Sequence, residues 1–497
     1  MKEKHNIKIS YIIYIAAFLL ISLIPLFTFS DNQAAIGNET KADKAKLSDG
    51  TLFTQKADEY FAQNFGFRNR LVYAGNAIKQ AAFKTSGQSE VIIGEDGWLF
   101  YESALADYRG TNDMTQLELE RGAVILKMMQ DYVEDKGGQF IFFSAPNKMS
   151  VYGEYMPYYY MESGRNGNYE RLYSELVDLG VNTVQLKNIL SLEKLGGVQL
   201  YHKLDSHWNN YGAAVAYEAV AQALSDAYGE EYAGYNRYSE FPYSIVNNFS
   251  GDLQSMLLPG SDVKDEQVEF KVNEDFEYTG RFKGVDDLII TTQNGKAAVG
   301  KSVTLFRDSF GNALYWFFAN DYAVMYAKRE VPYNIYGAAA ESELVAVELV
   351  ERNLKNLLHY TPVIPSRNLG EDFLKEAGIS LSDSPSEGQA VCDALMGITT
   401  TADGLIQISG RCEAVSGAAN VYLAGFMVAG NGIADSGNEQ WIVYQLIPCE
   451  GEEDFMLYLE PEDDTLLTCF SEGGQVCLIV EKQGVYTKIT INVTLQD

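Results

Sequence analysis

Cysteine and histidine are the scarce residues of this 497-residue chain, and their scarcity narrows its chemistry. No cysteine precedes Cys392; the five present (Cys392, Cys412, Cys449, Cys469 and Cys477) all lie in the last quarter. Their spacing contains no Cys-x-x-Cys and the nearest histidine is His359, so a zinc pattern and a histidine-activated thiol both fail. Five is odd, so at least one thiol has no partner within the chain. Positive charge is also lean, with 38 Lys and Arg against 68 Asp and Glu and a net charge of -30. Such a surface repels phosphate backbones and argues against nucleic acid as a partner. Internal repeats and long low-complexity tracts are absent. Hydrophobic residues make up 46%, enough for a sizeable core, which excludes wholesale disorder.

The N-terminus carries a topology signal. Lys2, Lys4 and Lys8 precede an uncharged, mostly apolar stretch from Ile9 to Phe29, which at about 1.5 Å per residue can cross a bilayer core. Positive residues before the run place the N-terminus in the cytoplasm. The expected localisation is therefore the cell membrane, single-pass, with the C-terminal bulk extracytoplasmic. A cleaved signal peptide is the alternative, but Ser30-Asp31-Asn32 is a poor cleavage site and the run is long for a signal h-region. An uncleaved anchor is favoured.

The periodicity beyond this point predicts an alternation of helices and strands. Val91 to Tyr101 reads as a hairpin turning at Glu95-Asp96-Gly97. Thr115-Gln116-Leu117-Glu118 has capping-box spacing and opens a helix through Val133, stopped by Gly137-Gly138. Gln139 to Ala145 reads as a buried strand, Tyr169 to Leu179 as a helix, and Val181 to Leu186 as a strand. Asn209 to Tyr228 is a long helix, Val303 to Phe306 a strand, and Gly311 to Ala319 a helix. Tyr322 to Ala327 and Leu344 to Val350 complete the set. The fold class is α/β, a mostly parallel sheet flanked by helices, with a β-rich excursion from about Phe241 to Gln293. After Tyr360 the pattern changes to Pro- and Ser-rich sequence, then to short alternating runs that predict a C-terminal all-β sandwich. The expected domains are 1–30, cytoplasmic tail and membrane anchor; 31–50, linker; 51–361, catalytic domain; 362–388, linker; and 389–497, β-sandwich accessory domain.

Two segments carry the chemistry, Asp205-Ser206-His207-Trp208-Asn209 and Arg307-Asp308-Ser309-Phe310-Gly311-Asn312. Ser309 falls where a strand ends and a helix begins, outside the carboxyl end of a parallel strand, where such sheets bind ligands. There the hydroxyl can be deprotonated by an imidazole, and the N–H groups of Ser309 and Phe310 can face a developing oxyanion. Gly311 keeps side-chain bulk away from the turn. His207 is the candidate base and Asp205 the acid that orients it. An ordinary N-cap serine is the plain alternative for Ser309. Of the four histidines, His5 precedes the apolar run and His359 ends a predicted helix. His202 is the rival base, but its neighbours Tyr201 and Lys203 supply no acid.

Asp-Ser-His-Trp followed by Asn-x-x-Gly-Ala, together with Arg-Asp-Ser-Phe-Gly, resembles the DHHW family of bacterial exported proteins. That family is related to SGNH-type O-acetyltransferases of the AlgX and AlgJ kind. The likeness spans roughly Ala57 to His359 and includes Gly97-Trp98-Leu99-Phe100-Tyr101, Ala145-Pro146-Asn147-Lys148, Gly251-Asp252-Leu253 and Val350-Glu351-Arg352-Asn353-Leu354. The resemblance implies a permuted SGNH hydrolase fold, with Asp and His preceding Ser, and implies Ser309 as nucleophile, His207 as base and Asp205 as orienting acid. Ser206 departs from the histidine of the family's name, and Arg307 stands where ordinary SGNH enzymes have glycine. Asn147 is an oxyanion candidate or a turn-former after proline. Arg352 holds a sugar or carboxylate, or a helix-start ion pair. Trp208 is a pyranose-stacking candidate or core, and Trp98 reads as core.

The function implied is extracytoplasmic O-acyltransfer through a serine acyl-enzyme, acetylating hydroxyls of an envelope or secreted polysaccharide. The acyl donor would be supplied by a multispanning membrane acyltransferase. A carbohydrate esterase with the same triad, and a non-catalytic polysaccharide-binding or assembly protein, are the alternatives. No metal or organic cofactor is indicated.

Overall fold

A computed structural model describes residues 9–29, 41–83, 85–379, 391–427, 440–471 and 475–496. The residues before Ile9, half of the expected 31–50 linker and the Ser382–Gly388 stretch lie outside these residues. The helix Ile9–Phe27 has 19 residues and is about 28 Å long, against a hydrocarbon core of about 30 Å. Among the described residues no helix is long and apolar enough to cross a membrane. This finding overturns the expected single-pass membrane placement.

The predicted hairpin forms from β1 (Val91–Ile93) and β2 (Leu99–Tyr101), with Val91 opposite Tyr101. Asp96 and Gly97 take positive φ of 52° and 82° at its turn, the left-handed conformation that Asp tolerates and Gly adopts freely. Helix α1 (Gln116–Asp135) starts with the capping box expected from Thr115 and Glu118. The Thr115 N–H donates to Glu118 Oε2 at 2.6 Å, and the Glu118 N–H donates to Thr115 Oγ1 at 3.2 Å. Strand β3 (Gln139–Ala145) and helix α2 (Asn168–Asp178) follow as predicted. The Val181–Leu186 strand shrinks to β4 (Thr183–Val184), because Leu186 opens the next helix. Helix α3 (Asn210–Tyr228) is capped by Asn209, whose Oδ1 accepts the Gly212 N–H at 2.9 Å.

The β-rich excursion contains the hairpin of β5 (Tyr243–Phe249) and β6 (Asp265–Phe270), with helix α4 (Asp252–Leu257) between them. It then contributes β7 (Glu277–Tyr278) and β8 (Ile289–Gln293) to the main sheet. Strand β9 (Val299–Phe306), helix α5 (Gly311–Asp321), β10 (Tyr322–Lys328), helix α6 (Ile335–Glu341) and β11 (Leu344–Val350) complete it. The strand order is β4-β3-β11-β9-β10-β8-β7. The first five run parallel, and β8 and β7 are added antiparallel. The sheet is therefore mixed at one edge. Every residue of β11 is buried, as a central strand covered on both faces requires.

The C-terminal part is all-β, as expected, but not two stacked sheets. Eight strands form one sheet in the order β15-β14-β18-β19-β12-β13-β17-β16. They are β12 (Val391–Thr400), β13 (Ile406–Arg411), β14 (Asn420–Met427), β15 (Gln440–Gln445), β16 (Ile447–Pro448), β17 (Asp454–Leu459), β18 (Gln475–Lys482) and β19 (Val485–Gln496). The two end strands, β15 and β16, are separated only by Leu446, so the sheet curls until its ends meet. That barrel-like closure replaces the predicted sandwich. Its interior packs Met396, Ile408, Leu423, Leu457 and Leu478.

Residues 362–379, the described part of the expected second linker, lie against this sheet. The Ser366 N–H donates to Tyr458 O, the Leu369 N–H donates to Val443 O, and Leu374 is buried with Tyr422 and Trp441. Arg121 of α1 reaches across from the other side. Its guanidinium donates to the carbonyls of Ala418 at 2.9 Å and Glu452 at 2.8 Å, with longer contacts to Cys449 and Gly451.

Candidate active site

The loop carrying Asp205 and His207 leaves Leu200 and returns to α3. It is closed at its base by a Tyr201–Trp208 bridge and by the Asn209 N–H donating to Leu200 O at 2.9 Å. A Cβ on Gly212 would meet Leu200 O at 2.2 Å, so only glycine lets the helix start this close to the loop. Gly251 is constrained in the same way, with Leu204 O at 2.1 Å from an added Cβ.

The two short segments come together. The His207 Nδ1–H donates to Asp205 Oδ1 at 2.7 Å, which leaves Nε2 to accept the Ser309 hydroxyl at 2.8 Å. Asp205 Oδ1 also accepts the His207 N–H at 2.9 Å, and its Oδ2 accepts the Asp252 N–H at 2.7 Å. Asp205 is buried, while His207 and Ser309 are partly exposed. Burial alone would push the Asp205 carboxyl up. The charge and hydrogen bond of His207 outweigh it, leaving the carboxyl well below the usual range. Burial pulls His207 down, but Asp205 and then Asp252 raise it above its ordinary value.

Asp252, the first residue of α4, is a member of this cluster that carried no role in the sequence reading. Its Oδ2 lies 3.8 Å from His207 Nδ1 and accepts the Ser206 hydroxyl at 2.6 Å. Burial, and then the neighbouring Asp205 charge, lift Asp252 to about 6. Ser206, the departure from the histidine of the family name, thus anchors Asp252 through both its hydroxyl and its N–H.

Lys148 supports the same loop from behind and was likewise without a role. It is fully buried, and its Nζ donates to Leu99 O, Lys203 O and Asp205 O at 2.6, 2.8 and 2.9 Å. Three acceptors match the three N–H bonds of an ammonium. The rings of Trp98 and Phe100 lie 5.0 and 5.2 Å from that nitrogen. Burial pulls the lysine down to about 7, while Asp205, Asp265 and Asp252 pull the other way.

The turn that carries Ser309 is locked by carboxylates. Asp308 Oδ1 accepts the Phe310 N–H at 2.8 Å, and Oδ2 accepts the Val350 N–H at 2.9 Å. The Asp308 N–H donates to the buried Glu348 at 3.0 Å. Phe310 is therefore not the free oxyanion donor expected from the sequence, because its N–H is already engaged. The Ser309 N–H has no partner among the described residues. Gly311 is required for contact rather than dihedral freedom, since an added Cβ would lie 2.4 Å from Arg307 Cβ. Arg307 points away from the serine and donates to Val285 O at 3.0 Å and Asp287 O at 2.9 Å, tying the turn to the excursion.

The remaining candidates separate. Trp208 is 2% exposed, and its indole N–H donates to Phe310 O at 3.0 Å. It packs the loop onto the Ser309 turn and offers no face for stacking a sugar. Trp98 is core, stacked on Tyr152 and Tyr155. Asn147 is buried, and its amide nitrogen makes no hydrogen bond of good geometry. Arg352 sits between the rings of Tyr101 and Phe310, 5.5 and 5.4 Å from their centroids, and donates to Asn147 Oδ1 at a long 3.4 Å. The rival base His202 faces the β5–β6 hairpin, bonded to Glu266 O at 2.9 Å and stacked on Phe249 at 3.8 Å. It does not reach Ser309.

Asp205, His207 and Asp252 also present their ligand atoms within 4.8 Å of one another, a spacing that could hold a metal ion. Hydrogen bonds within the cluster already account for that spacing.

The chain is similar to known proteins. Residues 91–322 match the family model for the SGNH hydrolase-like domain, acetyltransferase AlgX. The probable alginate O-acetylase AlgJ of Pseudomonas putida is 27% identical over 139 residues, 28% of this chain and 35% of that protein. The chain thus spans about a third of the length of that curated relative. The solved O-acetyltransferase domain of Pseudomonas putida AlgJ aligns over 53% of this chain and 92% of its own, at 21% identity and TM-score 0.36. A DHHW family protein from Eubacterium siraeum aligns over 53% and 94%, at 15% identity and TM-score 0.36.

Proposed function

We propose that this chain is a polysaccharide O-acetyltransferase that works through an acyl-enzyme on Ser309. The observation that carries this reading is the unbroken hydrogen-bonded series from Asp205 through His207 to Ser309. The AlgX-class match over residues 91–322 supports the reaction class, and the alginate O-acetylase relatives support a glycan acceptor.

In the first half-reaction the Ser309 proton passes to His207 Nε2 as Oγ bonds to the acyl carbonyl carbon. The Ser309 N–H stabilises the oxyanion. Collapse breaks the bond to the donor's leaving oxygen, which takes the proton from His207. In the second half-reaction a sugar hydroxyl gives its proton to His207 and attacks the acyl carbon. Ser309 then leaves and regains its proton. Asp205 keeps Nδ1 protonated throughout and stabilises the imidazolium. Arg352, partly exposed beside Phe310, is the acceptor-side contact, with the buried Asn147 behind it. In this reading a multispanning membrane acyltransferase is the partner that presents the acetyl group.

The test combines the purified protein with an acetyl-ester donor and candidate glycans, with acetylated glycan read by mass spectrometry. Acetyl-glycan is the expected product, absent with Ser309→Ala and His207→Ala. Free acetate without acetyl-glycan would make the protein an esterase. Labelling of Ser309→Ala by a serine-reactive phosphonate at wild-type level would remove Ser309 from the mechanism.

A further inference from the structure

Cysteine has no part in the site above, yet two of the five thiols lie together. Cys392 is on β12, and Cys412 immediately follows β13. The two strands are antiparallel, with Leu395 opposite Arg411. One further step places Cys412 opposite Ala394, and Cys392 lies two residues along on the same face of β12, a diagonal cross-strand neighbour. The Cys412 thiol donates to Cys392 Sγ at 3.2 Å. Cys412 is buried and Cys392 half-buried.

We propose that Cys392 and Cys412 form a disulfide by exchange with a low-molecular-weight or protein disulfide, stapling β12 to the end of β13. The half-buried Cys392 meets the oxidant first. Its thiolate attacks one sulfur of the incoming disulfide, forms a mixed disulfide and releases one thiolate. Cys412 then loses its proton, attacks Cys392 Sγ and expels the second thiolate. Two thiols of the protein are oxidised and one disulfide is reduced to two thiols, so electrons and protons balance. Bonding at about 2.05 Å asks each sulfur to move by about 0.6 Å, a rotamer-scale adjustment at a strand end.

The position gives the staple a consequence. β12 is the first strand after residues 380–390 and is held on its other side only by the parallel pairing to β19. A covalent link to β13 fixes the strand through which the chain enters the curled sheet. The remaining thiols, Cys449, Cys469 and Cys477, are not part of the pair.

The experiment treats the full chain with glutathione disulfide, alkylates it and maps its peptides. The expected result is two thiols protected from alkylation, a linked peptide joining Cys392 to Cys412, and a thermal midpoint above that of the reduced protein. Cys392→Ser and Cys412→Ser should each abolish the linked peptide and the redox-dependent rise in midpoint. Five alkylatable thiols after treatment would overturn the proposal. So would a stable glutathione adduct on Cys392 without closure, or a link between any other pair.

Discussion

Replacing Lys148 by methionine isolates the cage that holds the loop carrying Asp205 and His207. Methionine fills nearly the same volume but cannot donate to Leu99 O, Lys203 O and Asp205 O, all within 2.9 Å of Nζ. Each hydrogen bond from a charged donor is worth about 1.5–3 kcal/mol net. The substitution also removes a buried ammonium whose burial costs several kcal/mol. The two effects oppose, and the net loss should be about 3 kcal/mol. The kinetic consequence is separate, because the three carbonyls belong to β2 and to the loop that carries Asp205. A displacement of about 1 Å there should lower turnover by roughly 100-fold. Urea unfolding would measure the first effect, and acetyl-ester turnover without denaturant the second, with Ser309→Ala as the control that loses rate without losing stability. If Lys148→Met loses stability but keeps turnover within about twofold, the cage does not position Asp205. If it loses neither, the three bonds are not holding the loop.

Other consequences follow from the same contacts. In the proposed mechanism acylation needs neutral His207, and that residue's pKa lies above its ordinary 6.5. The rate should therefore rise with pH to a midpoint above 6.5, and Asp252→Asn should move that midpoint down by removing a nearby negative charge. The same shift makes the His207 contribution to stability complete below the unfolded value of 6.5 and lost as pH rises through the folded one, which urea titrations at several pH values would detect. Asn209→Ala should cost about 1 kcal/mol through loss of the helix cap, measured by urea unfolding. Gly212→Ala should cost more, because its Cβ has no room beside Leu200 O. Arg121→Met should lower the thermal midpoint by leaving buried carbonyls of the C-terminal sheet without their donor.

The parts of the fold legible in the sequence were those written in local contacts. The Thr115–Glu118 cap, the Glu95–Gly97 turn and the continuous apolar runs of β3 and β11 each act within a few residues and carry their own signal. Asp205, His207 and Ser309 were also legible, because a chain with four histidines leaves few candidate bases. Lys148 and Asp252 were visible only as letters in matching segments. Their roles depend on which carbonyls and carboxylates meet across the fold, which no spacing encodes. The Phe310 N–H misled for a similar reason, since its capture by Asp308 depends on a side-chain rotamer. The curled C-terminal sheet was read as a sandwich because alternation reports that one face of each strand is buried, not which strand lies opposite. For the apolar N-terminal run, hydropathy predicts a span, but it does not report how many residues the helix keeps.

The match to the AlgX family model stops at Tyr322, but the molecule's hydrogen bonding does not. The strand between β3 and β9 is β11, drawn from residues 344–350, and it also supplies Glu348 and the Val350 N–H that fix the Ser309 turn. A chain ending at Tyr322 would leave two strands that never touch and a serine with no wall behind it. The matched stretch is thus not a unit of folding, and trimming the gene to it should yield inclusion bodies instead of folded protein.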